Sequence, residues 1–142
     1  MTTKEYLRQA PRLDMIIDLK LAQVERLKSL RERVTASFSD TPKGGGSGDR
    51  VAEVTMKIYS MLEDINRDID AYVDLKADIR KLVSTVQDDR YRMVLEYRYL
   101  CCYGWDKIAE IMMYEQRQIF RLHGRALQEI NHVSECQYGV VI

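Results

Sequence analysis

The chain of 142 residues contains only two prolines, three cysteines and two histidines, and it carries no formal net charge. Because proline interrupts helices, its scarcity fits a protein built from long helices. Cys101 and Cys102 are adjacent and Cys136 stands alone, which matches neither a disulfide framework nor zinc-ligand spacing. We therefore expect small structural thiols, no metal and no cofactor.

Long apolar runs are missing as well, and none approaches the roughly 20 residues that a transmembrane helix needs. The N-terminal sequence MTTKEYLRQAPRLD lacks the apolar core of a signal peptide. These absences predict a cytoplasmic protein without a membrane partner.

Catalytic patterns are also absent from the sequence. His123 and His132 belong to no HExxH or comparable pattern, and the GGGSG run lacks the GK[ST] ending of a phosphate-binding loop. His123 falls near the inward side of the last predicted helix, which favours a structural role. The sequence therefore indicates a protein that is not an enzyme and has no catalytic residue.

Apolar residues recur every three or four positions along two long segments, which predicts two amphipathic helices. The first covers residues 12–38 and the second covers residues 49–86. Between them, residues 39–48 read SDTPKGGGSG and predict a flexible loop. Two such helices are expected to pack antiparallel, so that residues 1–86 form a hairpin arm of coiled-coil type.

The ends and the apolar stripes of these helices add further expectations. Pro11 fits near the start of the first helix, where its missing N–H costs little, and Asp49 is the expected N-cap of the second. The spacing of the second stripe drifts at Asp68/Ile69, which fits a 3.6-residue period better than strict heptads. This stripe consists of Val51, Val54, Ile58, Met61, Ile65, Ile69, Tyr72, Ile79, Leu82 and Val86.

Residues 91–130 predict a helix, a turn that contains Gly104, a short helix, a tight turn and a longer helix. Asp88 and Asp89 are the expected N-cap pair of the first of these helices, over residues 90–100. Its inward face is predicted to hold Met93, Val94, Tyr97 and Leu100. Gly104 lies between two helices, where a left-handed cap residue is expected.

The short and the longer helix have the lengths of a helix-turn-helix unit, which docks its last helix in the DNA major groove. Ala109 is small, as the close crossing of two such helices requires. The apolar face of the short helix consists of Trp105, Ile108, Ala109 and Met112. The inward face of the longer helix consists of Ile119, Leu122, Ala126, Leu127 and Ile130.

The outward face of the longer helix carries polar side chains. Its first turns hold two glutamines and two arginines, where a recognition helix contacts bases, namely Gln116, Arg117, Gln118 and Arg121. Arginine suits guanine and glutamine suits adenine, both through bidentate hydrogen bonds. Arg125 lies one turn further on and is expected to contact a phosphate. Double-stranded DNA is therefore the predicted partner.

Residues 91–130 resemble region four of bacterial sigma-70-type factors along the whole unit. The matching residues are Arg92, Val94, Leu95, Arg98, Tyr99, Gly104, Trp105, Ile108, Ala109, Glu110, Ile111, Ile119, Arg125, Ala126 and Leu127. The promoter-melting parts of a full sigma factor are not visible. A region-four-like module behind a helical arm is similar to the phage and prophage regulators of the ArpU and RinA type, which control late phage transcription.

This resemblance implies base contacts from the recognition helix, at the four positions from Gln116 to Arg121 named above. It also implies a contact with bacterial RNA polymerase. The chain departs from the family at Glu115, because sigma proteins usually begin this helix with a small Ser or Thr. Glutamate at a helix start suits the macrodipole, but it repels phosphate.

The expected organisation is an all-α chain with three parts. Residues 1–86 form the hairpin arm, residues 87–133 the helix-turn-helix domain, and residues 134–142 a tail. Zero net charge predicts weak nonspecific DNA binding, because phosphate neutralisation supplies most of that affinity. A homo-oligomer, preferably a dimer, is therefore expected, since two-fold symmetry matches paired half-sites. Apolar residues beside the helix–helix seam, such as Ile16 and Leu62, predict that a further surface of the arm is covered. Either the arm dimerises, which is preferred, or it folds back on the C-terminal module.

Two other functions fit the same pattern. A DNA-packaging protein of the small-terminase type also joins a helix-turn-helix to a helical hairpin, although usually in the reverse order. A helical adaptor without DNA binding would use the helix pair only for core packing.

Overall fold

The computed structural model describes residues 1–39 and 45–138, and that part of the chain is all α-helical. The helices are α1 (Thr3–Ser39), α2 (Gly45–Ser84), α3 (Asp89–Leu95), α4 (Trp105–Met112) and α5 (Gln116–Tyr138). Helix α3 continues into one π-helical turn, Glu96–Leu100. The all-α fold class expected from the sequence is confirmed.

The ends of the long helices differ from the prediction. Helix α1 begins before Pro11, which therefore lies inside the helix rather than near its start. The missing hydrogen bond is tolerated because the surrounding turns bury Leu7 and Ala10 completely. Asp49 lies within α2 and is not its N-cap.

The predicted loop and tail are only partly described. Residues 45–48 of the expected loop belong to α2, and residues 40–44 lie outside the described residues. Helix α5 continues to Tyr138, into the segment predicted as a tail, and residues 139–142 lie outside the described part.

The chain forms two compact units. One unit, the hairpin unit, is Met15–Ala71; the other, the C-terminal unit, combines Met1–Asp14 with Tyr72–Ile142. This division differs from the expected boundary between residues 86 and 87. The reason is a common core in the C-terminal unit, where the first turns of α1 and the last turns of α2 pack with α3 and α5.

In the hairpin unit, α1 and α2 run antiparallel. The Lys20 ammonium donates to carboxylate oxygens of Asp64 at 2.7 Å and Asp68 at 2.6 Å. Further along α1, the Arg31 guanidinium donates to the Thr55 hydroxyl at 3.5 Å. As the residue number rises along α1, the number of its partner on α2 falls, which is the pairing of an antiparallel hairpin.

The seam between these helices is more regular than predicted. Ile58 and Ile65 are buried on α2, and Asp68 occupies the next seam position, where Lys20 binds it. Ile69 is 37% exposed. The expected drift at Ile69 is therefore wrong: the heptad spacing continues, with a carboxylate in a seam position that its lysine partner stabilises.

Two clusters of buried residues form the core of the C-terminal unit. The larger cluster joins α1, α2, α3 with its π turn, and α5, and it consists of Leu7, Ala10, Ile79, Val83, Val86, Leu95, Tyr99, Ala126 and Ile130. The smaller cluster joins α3, α4 and α5, and it consists of Val94, Ile108, Ala109, Ile119 and Leu122. The predicted inward faces of α4 and α5 thus supply most of the smaller cluster, and that of α5 adds Ala126 and Ile130 to the larger one.

The inward face of α3 was predicted less well. Asp88 is its N-cap, as expected, and its side chain accepts a hydrogen bond from the Arg90 N–H at 2.9 Å. Met93, however, is 39% exposed, whereas Leu95 and Tyr99 are buried. The π turn accounts for the shift at Tyr99, because its wider turn displaces every later side chain around the helix axis. Met93 and Leu95 precede that turn, and Leu95 is buried because it packs into the larger cluster.

Candidate nucleic-acid interface

The tight turn between α4 and α5 is closed by backbone hydrogen bonds. The Tyr114 N–H donates to the Ala109 carbonyl at 3.0 Å, and the Met113 N–H donates to the Glu110 carbonyl at 3.3 Å. Met113 adopts the left-handed conformation with φ of 59°. These are the two bonds of a Schellman motif, which fixes where α4 stops and how the chain enters α5.

The left-handed residue was expected elsewhere. Gly104 has φ of −70° and ψ of 160°, so it is the extended N-cap of α4 and needs no glycine-specific conformation. The left-handed residues of the described chain that are not glycine are Cys102 and Met113. The left-handed role predicted for Gly104 is therefore wrong.

The first turn of α5 is held by its own side chains. The Glu115 N–H donates to the Gln118 side-chain oxygen at 3.3 Å, while the Glu115 carbonyl accepts from the Gln118 N–H at 2.9 Å. This is the glutamine half of a capping box, three residues after the cap. The Gln116 amide donates to the Asp106 carboxylate on α4. Both glutamines are thus engaged within the chain.

The arginines of α5 are free of such contacts. Arg117, Arg121 and Arg125 are exposed, and no carboxylate forms an ion pair with them among the side chains that the structure describes. They lie four residues apart, which places successive guanidinium stems roughly 6 Å apart along the helix axis. The opposite face of α5 is buried through Ile119 and Leu122. The result is a row of unpaired cations on a firmly supported helix.

The structure brings only some of the predicted site residues together. Gln118, Arg121 and Arg125 line one recess beside α5, and Arg90 of α3 and Tyr114 of the turn complete its wall. All five predicted side chains, Gln116, Arg117, Gln118, Arg121 and Arg125, are exposed.

Sequence reasoning missed two members of this recess. Arg90 is exposed and forms an ion pair with Asp88 at 3.3 Å. It is about thirty residues from Arg121 in the sequence, so no helical spacing links them. Tyr114 lies in the turn between α4 and α5, and nothing in the sequence indicates that it faces the polar side of α5.

His123 lies on the flank of α5 away from the arginine row. It is only 7% exposed, and its Nε2 atom lies 2.7 Å from the hydroxyl of the buried Tyr99. Burial, together with the nearby cations Lys4, Arg98 and Arg8, lowers the pKa of His123 to about 4. The ring is therefore neutral at physiological pH, and its expected inward position is confirmed.

Comparison with protein-family models, curated proteins and solved structures gives no match to this chain. Among the described residues, no group of His, Cys, Asp and Glu side chains is arranged to hold a metal ion. None of the described helices combines the length and the apolar character needed to cross a bilayer. The arginine row of α5 is therefore the feature on which a functional assignment can be based.

Proposed function

We propose that this protein is a sequence-specific DNA-binding transcription regulator that inserts α5 into the major groove. The observation that carries the proposal is the arginine row: Arg117, Arg121 and Arg125 are exposed and unpaired on the outward face of the second helix of a helix-turn-helix pair. Unpaired cations on one helix face attract phosphates, and arginine is the side chain that most often contacts guanine. The opposite face of α5 is buried and holds the helix in a fixed position, as base recognition requires.

Within this proposal the five site residues have unequal roles. Arg117 and Arg121 lie nearest the start of α5, where base contacts are made, and Arg125 contacts a phosphate. Gln118 and Gln116 must leave their contacts with Glu115 and Asp106 before they can bind adenine. Their contribution to specificity is therefore smaller than that of the arginines.

The charge balance of the chain sets the expected salt dependence. A module in which Arg90 and Arg125 each contact one phosphate has a slope of log K against log salt of about −2. Two phosphate contacts supply little electrostatic affinity, so that one module binds weakly. Two modules of a dimer that bind one duplex add their contacts, so that dimerisation raises the affinity for DNA.

The exposed apolar residues of the hairpin unit support the expected dimer. Met15 and Leu19 of α1 are 71% and 60% exposed, and Tyr59 of α2 is 63% exposed. Met15 and Leu19 are four residues apart, so they share one helix face. Apolar patches of this kind mark interaction surfaces in many proteins. We propose that they associate two copies of the chain.

The resemblance to region four of sigma factors extends the proposal to a biological setting. A regulator of this type would act in the cytoplasm on late promoters of a phage or prophage, together with the RNA polymerase of the host.

The proposal can be tested by selection of bound duplexes from a random pool, followed by binding measurements on the enriched site. Arg121→Ala is expected to lose about 1–3 kcal/mol at particular base pairs, whereas Arg125→Ala weakens all duplexes evenly. Arg50→Ala removes an equally exposed arginine of the hairpin unit and serves as the matched control. If the pool shows no enrichment and all three variants bind like the parent protein in low salt, DNA recognition by α5 is refuted.

A further inference from the structure

A second recess of about 380 Å³ opens on the C-terminal unit, on the other flank of α5. Its α5 wall is formed by Phe120, His123, Gly124 and Leu127. The polar side chains of α5 that line the recess at the proposed DNA site are Gln118, Arg121 and Arg125. At 100° per residue, His123 and Leu127 point away from Gln118 and Arg121, whereas Arg117, seven residues before Gly124, lies on the recess side of α5. The recess shares no lining residue with the proposed DNA-binding surface.

Three cations surround this recess. Lys4 and Arg8 come from the first turns of α1, and Arg98 comes from the π turn. No Asp or Glu is among the described residues that line it, and no carboxylate pairs with Lys4 or Arg8 among the described side chains. Like charges held around one recess repel each other, and an anion placed between them would remove that repulsion.

The remaining walls are apolar or neutral. The Arg98 guanidinium lies 4.4 Å from the centre of the Trp105 ring, which itself meets Phe120 edge to face at 5.3 Å. Phe120 is still 49% exposed, so its contact with Trp105 leaves much of the ring uncovered. A ligand with an apolar body would cover it.

His123 adds a polar atom to this wall. Its Nε2 atom is taken by the Tyr99 hydroxyl, and its Nδ1 atom has no hydrogen-bond partner within the described part of the chain. We assign the tautomer in which the neutral ring accepts the Tyr99 proton at Nε2, so that Nδ1 carries the remaining N–H. A buried donor without a partner is unfavourable, and an anionic ligand in the recess would satisfy it.

The fold alone does not explain why residue 124 is a glycine. It lies in the middle of α5, has an ordinary helical conformation, and a Cβ atom added to it would meet nothing within 4 Å. Glycine in a helix interior is about 1 kcal/mol less favourable than alanine. The open backbone at this position lets a ligand approach α5 closely.

We propose that this recess binds a small organic anion, a carboxylate or phosphate attached to an apolar or aromatic group. Lys4, Arg8 and Arg98 bind the charged end, His123 donates to it, and the body of the ligand packs on Trp105 and Phe120. This inference does not depend on DNA binding, because the two sites share no residue.

The fluorescence of Trp105 provides a direct test, since it is the single tryptophan of the chain. Phenyl phosphate and phenylacetate are titrated against the full-length protein, with benzyl alcohol as the uncharged probe and inorganic phosphate as the anion without an apolar body. At least one of the two aromatic anions is expected to give a saturable change. Benzyl alcohol and inorganic phosphate are each expected to bind at least about tenfold more weakly, as the loss of a charged or an apolar contact requires.

Variants separate the proposed site from nonspecific binding. Arg8→Gln is expected to weaken the aromatic anion about tenfold, whereas Lys57→Gln, an exposed lysine of the hairpin unit, leaves it unchanged. Gly124→Ala is expected to raise the melting temperature and to weaken binding severalfold. Absence of saturation up to about 10 mM, equal binding of benzyl alcohol, or an Arg8→Gln variant that binds like the parent protein would each overturn the proposal.

Discussion

Lowering the pH should destabilise the C-terminal unit through His123. The pKa of this buried ring is about 4 in the folded chain, against an ordinary value of 6.5. His123 is therefore protonated near pH 6.5 in the unfolded chain, but only near pH 4 in the folded chain. Stabilisation by neutral His123 is complete above pH 6.5, is lost progressively as the pH falls to about 4, and falls no further below that value.

The size of this effect follows from the pKa difference. Each pKa unit corresponds to about 1.4 kcal/mol. The free energy of unfolding at pH 4 is therefore lower by on the order of 3 kcal/mol than its value above pH 6.5. For a domain with a total stability of about 5–15 kcal/mol, this loss is a large fraction. It arises first from burial and then from the cations around the ring, so that added salt should reduce only the smaller, cationic part.

The measurement is urea unfolding between about pH 7.5 and pH 4, with His123→Gln as the reference. Glutamine does not titrate and can still accept a hydrogen bond from Tyr99. The stability difference between parent and variant should shift by on the order of 3 kcal/mol across this range, while all other titrating groups cancel. A difference that stays constant with pH, or an imidazole that titrates near pH 6.5 by NMR, would refute this reasoning.

Three further outcomes are expected. Met113→Gly should raise the stability by about 0.5–1 kcal/mol in thermal unfolding, because glycine adopts the left-handed conformation without strain; Met113→Ala, which keeps a Cβ atom, should give no such gain. Leu19→Glu should convert the proposed dimer to a monomer in analytical ultracentrifugation, and an unchanged sedimentation coefficient would contradict it. Gln118→Ala should lower the stability by about 0.5–2 kcal/mol through loss of the helix cap while leaving the preferred bases of the bound duplex unchanged; a changed base preference would show that this glutamine reads DNA.

The helices and most of their buried faces could be predicted from the sequence, since apolar spacings of three and four are a strong and local signal. Ile119, Leu122 and Ala126 are buried on α5 as the spacing indicates. The same signal failed at Ile69, because an aspartate held by Lys20 takes the seam position instead. A charge that is stabilised by a partner forty-eight residues away has no counterpart in a local hydrophobic pattern.

Errors at the helix ends share a different cause. The start of α1 depends on Leu7 and Ala10, whose burial requires α2 and α5. The π turn after α3 and the left-handed Met113 are backbone features. The hydrogen bond from the Tyr103 N–H to the Tyr97 carbonyl closes the chain after the first, and the bond from the Tyr114 N–H to the Ala109 carbonyl closes it after the second. These contacts are set by the tertiary arrangement, which overrides local preferences.

The candidate sites show the same limit more sharply. Arg117, Arg121 and Arg125 could be found because they lie on one helix at regular spacing. Lys4 and Arg8 are about a hundred residues from Trp105 in the sequence, yet they line the same recess. No spacing rule joins residues across that distance. The proposed anion site depends on α1 packing beside α5, so the sequence pattern alone could not predict it.

The engagement of the two glutamines narrows what α5 can recognise. A recognition helix with free arginine and glutamine side chains could distinguish guanine from adenine at neighbouring positions. Here Gln118 caps the helix and Gln116 contacts Asp106, whereas the three arginines remain unpaired. Moving either glutamine to a base would sacrifice a hydrogen bond that positions α5, while moving an arginine sacrifices nothing. The proposed half-site is therefore expected to be read mainly through guanines, with adenines at the glutamine positions contributing little.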